Sequence, residues 1–379
     1  MNVKMLNIES RRRRNPLGIT SPTDFYFTEG DTIDAQVIVE NPNISIYCLD
    51  HENRRALFVE TPADIDLSKA PFYYQAQYEN AVNLFAVSYE VLHRLANDIS
   101  IDSKHLILIY SVGRCGSTLI SSVLNQVEDI VSLSEPDIYT QLVEIREWDG
   151  SNDAEVSELL QTCTKILCKS PMQNTDPHRL AIKFRSFCIE IADLMFKYLP
   201  DAKIIFLYRD ADTWLKSAVR AFVHDDINSV GNLESIEAWL RQLVSLIDKH
   251  LSGNSESLSI AKIGTLMWLS MMERYLKLYQ EGVPMLAVRF NTLTTLPKQV
   301  IKRIFDYCDI SISDFEDIFK IFDRDSQEGT VLSRTNIQQK SVKLSDDFLA
   351  EMRRTLLAHP IIQTPHFVVP NTLYIDVGV

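Results

Sequence analysis

An α/β protein is what the sequence predicts: a parallel sheet wrapped by helices over residues 101–379, with a small α+β extension over residues 1–100 in front of it. Three observations carry that reading. From about Ile101, short apolar runs alternate with segments of helical period, and strands in such alternation are buried on both faces and run parallel, with helices as crossovers. The first hundred residues differ in texture, with short β-branched runs between turn signals. The chain has 379 residues, 46% of them apolar and 23% charged, which is enough to bury a full core in a water-exposed protein.

The elements follow in order. The arginine run Arg11 to Arg14 precedes no apolar stretch, so it reads as a solvated tail and not as a targeting segment. "DAQVIVENPNISIYCLDHENRRALFVETP" reads as short strands broken by "NPN" and "DHEN". "APFYYQAQYENAVNLFAVSYEVLHRLAND" has the apolar spacing of a helix, broken or not, ending near Asn97. Then come the strand "HLILIYS", a helix from Ser117, the strand "LAIKF", a helix through "FCIEIADLMFKYL", the strand "AKIIFLY" and a helix from Thr213. The block from Asp225 to Gly282 is helical, with "SGNSESLS" as a loop tip, and is expected to form a lid.

Composition narrows the partners. The formal net charge of −13 opposes broad binding to nucleic acid or an anionic membrane, so any anionic ligand must meet a local basic pocket. Cys48, Cys115, Cys163, Cys168, Cys188 and Cys308 are scattered without CxxC pairs or metal spacing, and read as free thiols in a reducing compartment. No run of 18 apolar residues occurs, and the expected location is cytoplasmic.

"HLILIYSVGRCGSTLISSVLNQ" runs from a strand through a glycine turn into a helix. A helix starting at the carboxyl end of such a strand points unpaired N–H groups and a positive dipole end at its guest, and the natural guest is an anion. A Walker loop, GxxxxGK[ST], does not fit. With its second glycine on Gly116, Ser111 stands at the first glycine and Ser117 at the lysine. The cation is instead Arg114, followed by the hydroxyls of Ser117 and Thr118. "AKIIFLYRDADTWLKSAVRAF" repeats the strand-to-helix plan, with Arg209 at the strand end and Ser217 eight residues on. The bland alternatives are a turn that only packs and an Arg209–Asp210 pair that only closes a strand end.

Together these two stretches resemble the sulfotransferase superfamily, whose donor is 3′-phosphoadenosine 5′-phosphosulfate (PAPS). "GRCGST" is similar to the family's 5′-phosphosulfate loop, [KR]-S-G-[ST]-T, through Arg114, Cys115, Gly116, Ser117 and Thr118, with Cys115 in place of the usual serine. "YRDADTWLKS" is similar to the 3′-phosphate motif R-D-x(6)-S, through Arg209, Asp210 and Ser217. "VRFNTLTTLP" resembles the late R-Y-E-D-L strand and its downstream proline, with Asn291 in place of the glutamate. "DSQEGTVLSRTN" looks like the loop that closes over the nucleotide in bacterial and tyrosylprotein sulfotransferases, and makes Gly329, Ser333 and Arg334 candidate donors. The resemblance covers about residues 104–345 and implies the P-loop sulfotransferase fold, PAPS as donor, 3′-phosphoadenosine 5′-phosphate (PAP) as product and no metal.

Sulfuryl transfer needs a base for the acceptor's proton and cations for the charge that builds on the leaving phosphate. The K-x-H histidine of small-molecule sulfotransferases is missing, since "LAIKFRSF" follows Lys183 with Phe184 and Arg185. The resemblance to tyrosylprotein sulfotransferases implies Glu135, in "VSLSEPDIY", as general base, with Arg114 stabilising the leaving group and Lys183 orienting the sulfuryl oxygens or the base. Lys169 competes for the second cationic role, and His224 and His178 are alternative bases. The expected acceptor is a hydroxyl or amine of a small molecule, a secondary metabolite. Asp225, Asp226 and Glu234 near the lid favour a neutral or cationic one. A P-loop kinase and a catalytically silent nucleotide-binding protein are the other readings the residues permit.

Overall fold

The computed structural model describes residues 1–169, 179–222, 230–253, 258–312, 316–338 and 343–375, with the side chains of 230–234, 316–317 and 338 also left out. Among the described residues ten strands build two five-stranded sheets: β1 (Asn2–Arg11), β2 (Phe25–Asp34), β3 (Ile44–Asp50), β4 (Arg55–Glu60) and β5 (Asn83–Ser88), then β6 (Leu106–Ser111), β7 (Ile130–Ser134), β8 (Arg179–Lys183), β9 (Lys203–Tyr208) and β10 (Met285–Arg289). The first sheet has the order β2-β1-β5-β4-β3 and is antiparallel; the second has the order β10-β9-β6-β8-β7 and is parallel, flanked by helices. The α/β class expected from the alternation is therefore the class observed.

By compactness the chain groups into two units that do not follow chain order, the first comprising residues 1–108, 121–184 and 194–202, the second residues 109–120, 185–193 and 203–379. In the first unit, Leu6, Phe25, Tyr47, Leu57, Val59 and Leu84 fill one core of the antiparallel sheet. "NLFAVS" within the stretch read as helical is the strand β5, flanked by the helices Tyr73–Asn80 and Tyr89–Asn97. Leu84 to Val87 are all buried and pair with β1 and β4, and cross-strand pairing on both sides overrides the local helical spacing. Val37–Glu40, read as part of a strand, is a single helical turn.

The arginine run is solvated at Arg11, Arg12 and Arg14 but not at Arg13. Arg13 donates from Nη1 to Asp24 Oδ2 and to Tyr47 Oη, both at 3.0 Å, and stacks 4.8 Å from the Tyr74 ring centre; its side chain is 4% exposed. Arg11 donates to the carbonyls of Tyr78 and Ala81, and Arg12 lies 4.3 Å over the Tyr26 ring. Like charges that are neighbours in sequence are dispersed to separate acceptors.

In the second unit the helices Val230–Leu243, Ser245–Gly253 and Ile260–Gln280 make the expected helical block. A buried network ties the last two to residues 190–193, with Glu190 accepting from Ser245 and Ser270 while Arg274 pairs with Asp193 at 2.6 Å. Residues 254–257 of the expected loop tip lie outside the described residues. All six cysteines are free and buried. Among the described residues no helix is long and apolar enough to cross a membrane.

Candidate functional site

In the second unit, β6 hands the chain to a turn that only glycine-rich backbone can make. Gly113, Arg114 and Gly116 have φ of 75°, 51° and 85°. A Cβ on Gly116 would stand 2.9 Å from Leu293 Cδ2, so this position is closed to side chains both by its left-handed backbone and by its neighbour. The Trp214 indole nitrogen takes the carbonyls of Val112 and Gly113 at 2.8 and 3.0 Å, which fixes the turn from the outside. The helix Ser117–Leu124 follows, with the Ser117 and Thr118 hydroxyls on buried residues at its first turn. Cys115 is fully buried and its thiol lies 3.3 Å from the Leu207 carbonyl, so the departure from serine leaves a side chain that packs and donates inward.

The second strand-to-helix turn, after β9, meets the first. Arg209 donates from Nη1 to the Arg114 carbonyl at 3.3 Å and from Nε to Thr213 Oγ1 at 3.0 Å, with its guanidinium 4.5 Å over the Phe290 ring. Arg114 in turn reaches Ser217 Oγ from Nε at 3.4 Å and Gln327 Oε1 from Nη1 at 2.7 Å. Thr213 and Ser217 are four apart on the helix Ala211–Phe222 and so share one face, which explains why this spacing delivers both hydroxyls to the arginines. Burial lowers the Arg209 guanidinium below its ordinary value, and the nearby Cys115, Asp210 and Asp212 offset that only in part. Such a cation gains most from an incoming anion.

Arg209 and Asp210 do not hydrogen-bond each other as the bland alternative required. Asp210 accepts from Arg289 Nε and Nη2 at 2.8 and 2.7 Å and meets His366 Nδ1 at 2.8 Å. Asp210, Asp212 and His366 could by spacing gather a cation, but the Asp210 carboxylate is already committed to the Arg289 fork.

Of the closing loop, Ser333 is buried, within 3.1 Å of the Thr335 hydroxyl, and Arg334 is largely exposed, its backbone N–H on Asp325 Oδ2. Gly329 has φ 79° in open space. The side chain of this loop that reaches the cluster is Gln327, which the sequence reading passed over along with Arg289, Thr213 and Phe290. Arg289 heads the "RFNTL" stretch and could have been found as the arginine of that motif. Gln327 carried no signal.

In the first unit, Glu135 follows β7 and Lys183 ends β8, two strands paired in parallel with Ser134 opposite Lys183. The Glu135 amide donates to the Lys183 carbonyl at 2.6 Å, and Lys183 Nζ forms an ion pair with Glu135 Oε1. Both side chains are largely buried, 14% and 4% exposed. Glu135 is also left-handed, φ 61°. A non-glycine residue in that region is strained by about 1–3 kcal/mol, and such strain persists where the surroundings demand a particular side-chain direction. Lys169 is elsewhere in this unit: its ammonium is buried against the carbonyls of Ile38 and Asn41. His178, His224, Asp225 and Asp226, and the side chain of Glu234, lie outside the described residues.

The fold is an α/β parallel sheet whose strand ends carry a glycine turn and two converging arginines, the place where ligands of such sheets sit. Residues 107–314 match the sulfotransferase family, and with more than half of its length so matched the chain belongs to that family, which is one of transferases. Among solved structures it is similar to the sulfotransferase from Alicyclobacillus acidocaldarius at 16% identity and TM-score 0.39, covering 66% of this chain and 94% of that one. It is also similar to the sulfotransferase domain from the curacin biosynthetic pathway (15%, TM-score 0.39, 67% and 92%) and to mouse sulfotransferase SULT7A1 complexed with PAP (14%, TM-score 0.35, 70% and 81%). No curated protein sequence matches.

Proposed function

We propose that the chain moves the sulfuryl group of PAPS to a hydroxyl or amine of a small molecule and releases PAP. The observation that carries this is the single cluster formed by Arg114, Arg209 and Ser217, in which the cations of both strand-end turns share hydrogen bonds. A phosphate entering there replaces neutral hydroxyl, amide and carbonyl acceptors with an anionic one, so that each arginine bond joins opposite charges. The residues present fit a 3′,5′-bisphosphate: backbone N–H groups at 115–118 and the Ser117 and Thr118 hydroxyls hold the 5′ end, and Arg209 and Ser217 the 3′ end. Ser333 and Arg334 join them if they exchange their present partners.

Glu135 serves as general base, taking the acceptor's proton as the acceptor oxygen or nitrogen bonds to sulfur and the bond from sulfur to the bridging oxygen breaks. Lys183 holds that carboxylate in place through both its ammonium and its carbonyl. Arg114 meets the charge left on the departing phosphate, giving up Gln327 to do so. A net charge of −13 supports a neutral or cationic acceptor over a polyanionic chain. The cytoplasm is the proposed setting, supported by six free cysteines.

The test is transfer of label from ³⁵S-PAPS to pools of steroids, phenols, amino sugars and guanidinium alkaloids. Label on a small molecule with matching PAP release is expected. Label only on heparan-like chains, or Mg²⁺-dependent ATP turnover without sulfate transfer, would overturn the reading.

A further inference from the structure

The first unit contains a cavity that the transfer reaction does not use. It has a volume of about 180 Å³ and mixes aliphatic lining, including Ile44, Ile65, Leu133 and Leu167, with polar side chains such as Asn43 and Thr61 and with Lys169. Lys169 caps the helix Asp153–Cys168 and is 3% exposed. Its ammonium donates to the Ile38 and Asn41 carbonyls, which occupy two of its three N–H donors. Among the described residues no carboxylate answers its charge.

The other titratable groups on the cavity wall are committed. Asp66 pairs with Lys69 at 3.0 Å and accepts from the Ser68 amide and hydroxyl. The Tyr73 phenol is buried, which pushes its pKa up to about 12, and it stays neutral. Desolvation alone brings the Lys169 amine down to about 7, so near neutrality the site holds a cation about half the time. A buried ammonium short of a counter-charge, on the wall of a cavity that also presents Ile44, Ile65, Leu133 and Leu167, asks for a ligand with an anionic head and an apolar body. The hole is similar in size to an engineered cavity of about 150 Å³ that admits benzene.

We infer that this cavity binds a small monocarboxylate, with its carboxylate on Lys169 Nζ and its hydrocarbon body against Ile44, Ile65, Leu133 and Leu167. The inference stands independently of the sulfuryl donor and acceptor, because none of these residues belongs to the arginine cluster or to the Glu135–Lys183 pair.

The experiment is calorimetric titration of the full chain with hexanoate at pH 7, in two buffers of different ionisation enthalpy, with hexanol as the neutral analogue of equal length. Hexanoate should bind at one site per chain and take up about half a proton, because the carboxylate restores the charged lysine. Hexanol should bind roughly 10- to 100-fold more weakly, the span expected for one charge-assisted contact, and Lys169→Met should weaken hexanoate by a similar factor. Equal binding of hexanol, no proton uptake, no hexanoate binding at millimolar concentration, or unchanged binding by Lys169→Met would each overturn the inference. The wild-type proton uptake and the hexanol comparison need no variant, so they decide the matter if Lys169→Met does not fold.

Discussion

The arginine cluster of the second unit and the Glu135–Lys183 pair of the first treat buried charge in opposite ways. The partners of the cluster's guanidinium groups include a carbonyl, two hydroxyls, an amide oxygen and an aromatic face. A phosphate can displace such partners and gain by it. In the pair, carboxylate meets ammonium and amide meets carbonyl. It fixes a direction and is poorly suited to take in a second anion. Under the proposed function the difference separates the work: one place binds and the other positions a single carboxylate.

If that separation is right, variants in the two places fail in different assays. Glu135→Gln should lower turnover by about 10²- to 10⁴-fold, the usual contribution of a general base, while PAP affinity stays within about threefold. A parallel loss of PAP affinity would collapse the distinction. The Arg13–Asp24 pair provides a purely structural counterpart to the Glu135–Lys183 pair. Arg13→Ala should lower stability by about 3–5 kcal/mol, because Asp24 is left buried without its cation, and chemical denaturation followed by circular dichroism measures this with no ligand needed. A smaller loss, below about 1 kcal/mol, would return Arg13 to a surface role.

Arg209→Ala should weaken PAP by roughly 10- to 100-fold with little change in stability, read by titration calorimetry. Lys169 gives a sharper test of what burial without a carboxylate does. Its folded pKa of about 7 lies below its unfolded value of 10.5, so the unfolded chain binds more protons between those pH values and stability rises with pH across that window. The rise is at most about 1.4 kcal/mol per pH unit and should be absent from Lys169→Met when the two are compared by urea denaturation at pH 7, 8 and 9. A flat difference would mean that Lys169 is charged at every pH tested. Cys115→Ser should be the mildest, within about 1 kcal/mol in stability and unchanged for PAP, because a serine hydroxyl can donate to the same Leu207 carbonyl.

Much of the parallel sheet was legible in the sequence because β6, β8 and β9 are continuous apolar runs bounded by helices, the strongest local signal a buried strand can give. The antiparallel sheet was less so. β1 has register shifts at Lys4/Leu6 and Ile8/Ser10, which break the alternation that would have announced it, and β5 is buried on both faces inside a segment of helical spacing. In the candidate site, Arg114, Gly116, Arg209 and Ser217 were legible because backbone geometry and helix period dictate their spacing. Gln327, and outside the site Arg13, were not, since each acquires its role from partners far along the chain, Arg114 in one case and Tyr47 and Tyr74 in the other.

The central claim is that the Arg114–Arg209–Ser217 cluster holds a 3′,5′-bisphosphate. Thermal unfolding with PAP, compared with ADP and with ATP plus Mg²⁺, tests it most directly. At 100 times its dissociation constant PAP should add about 2.7 kcal/mol to the native state, a shift of several degrees that ADP does not reproduce and that Arg209→Ala cuts to about 0.4–1.4 kcal/mol at the same PAP concentration. Stabilisation by ATP with Mg²⁺ instead, or by none of the three, would contradict the account.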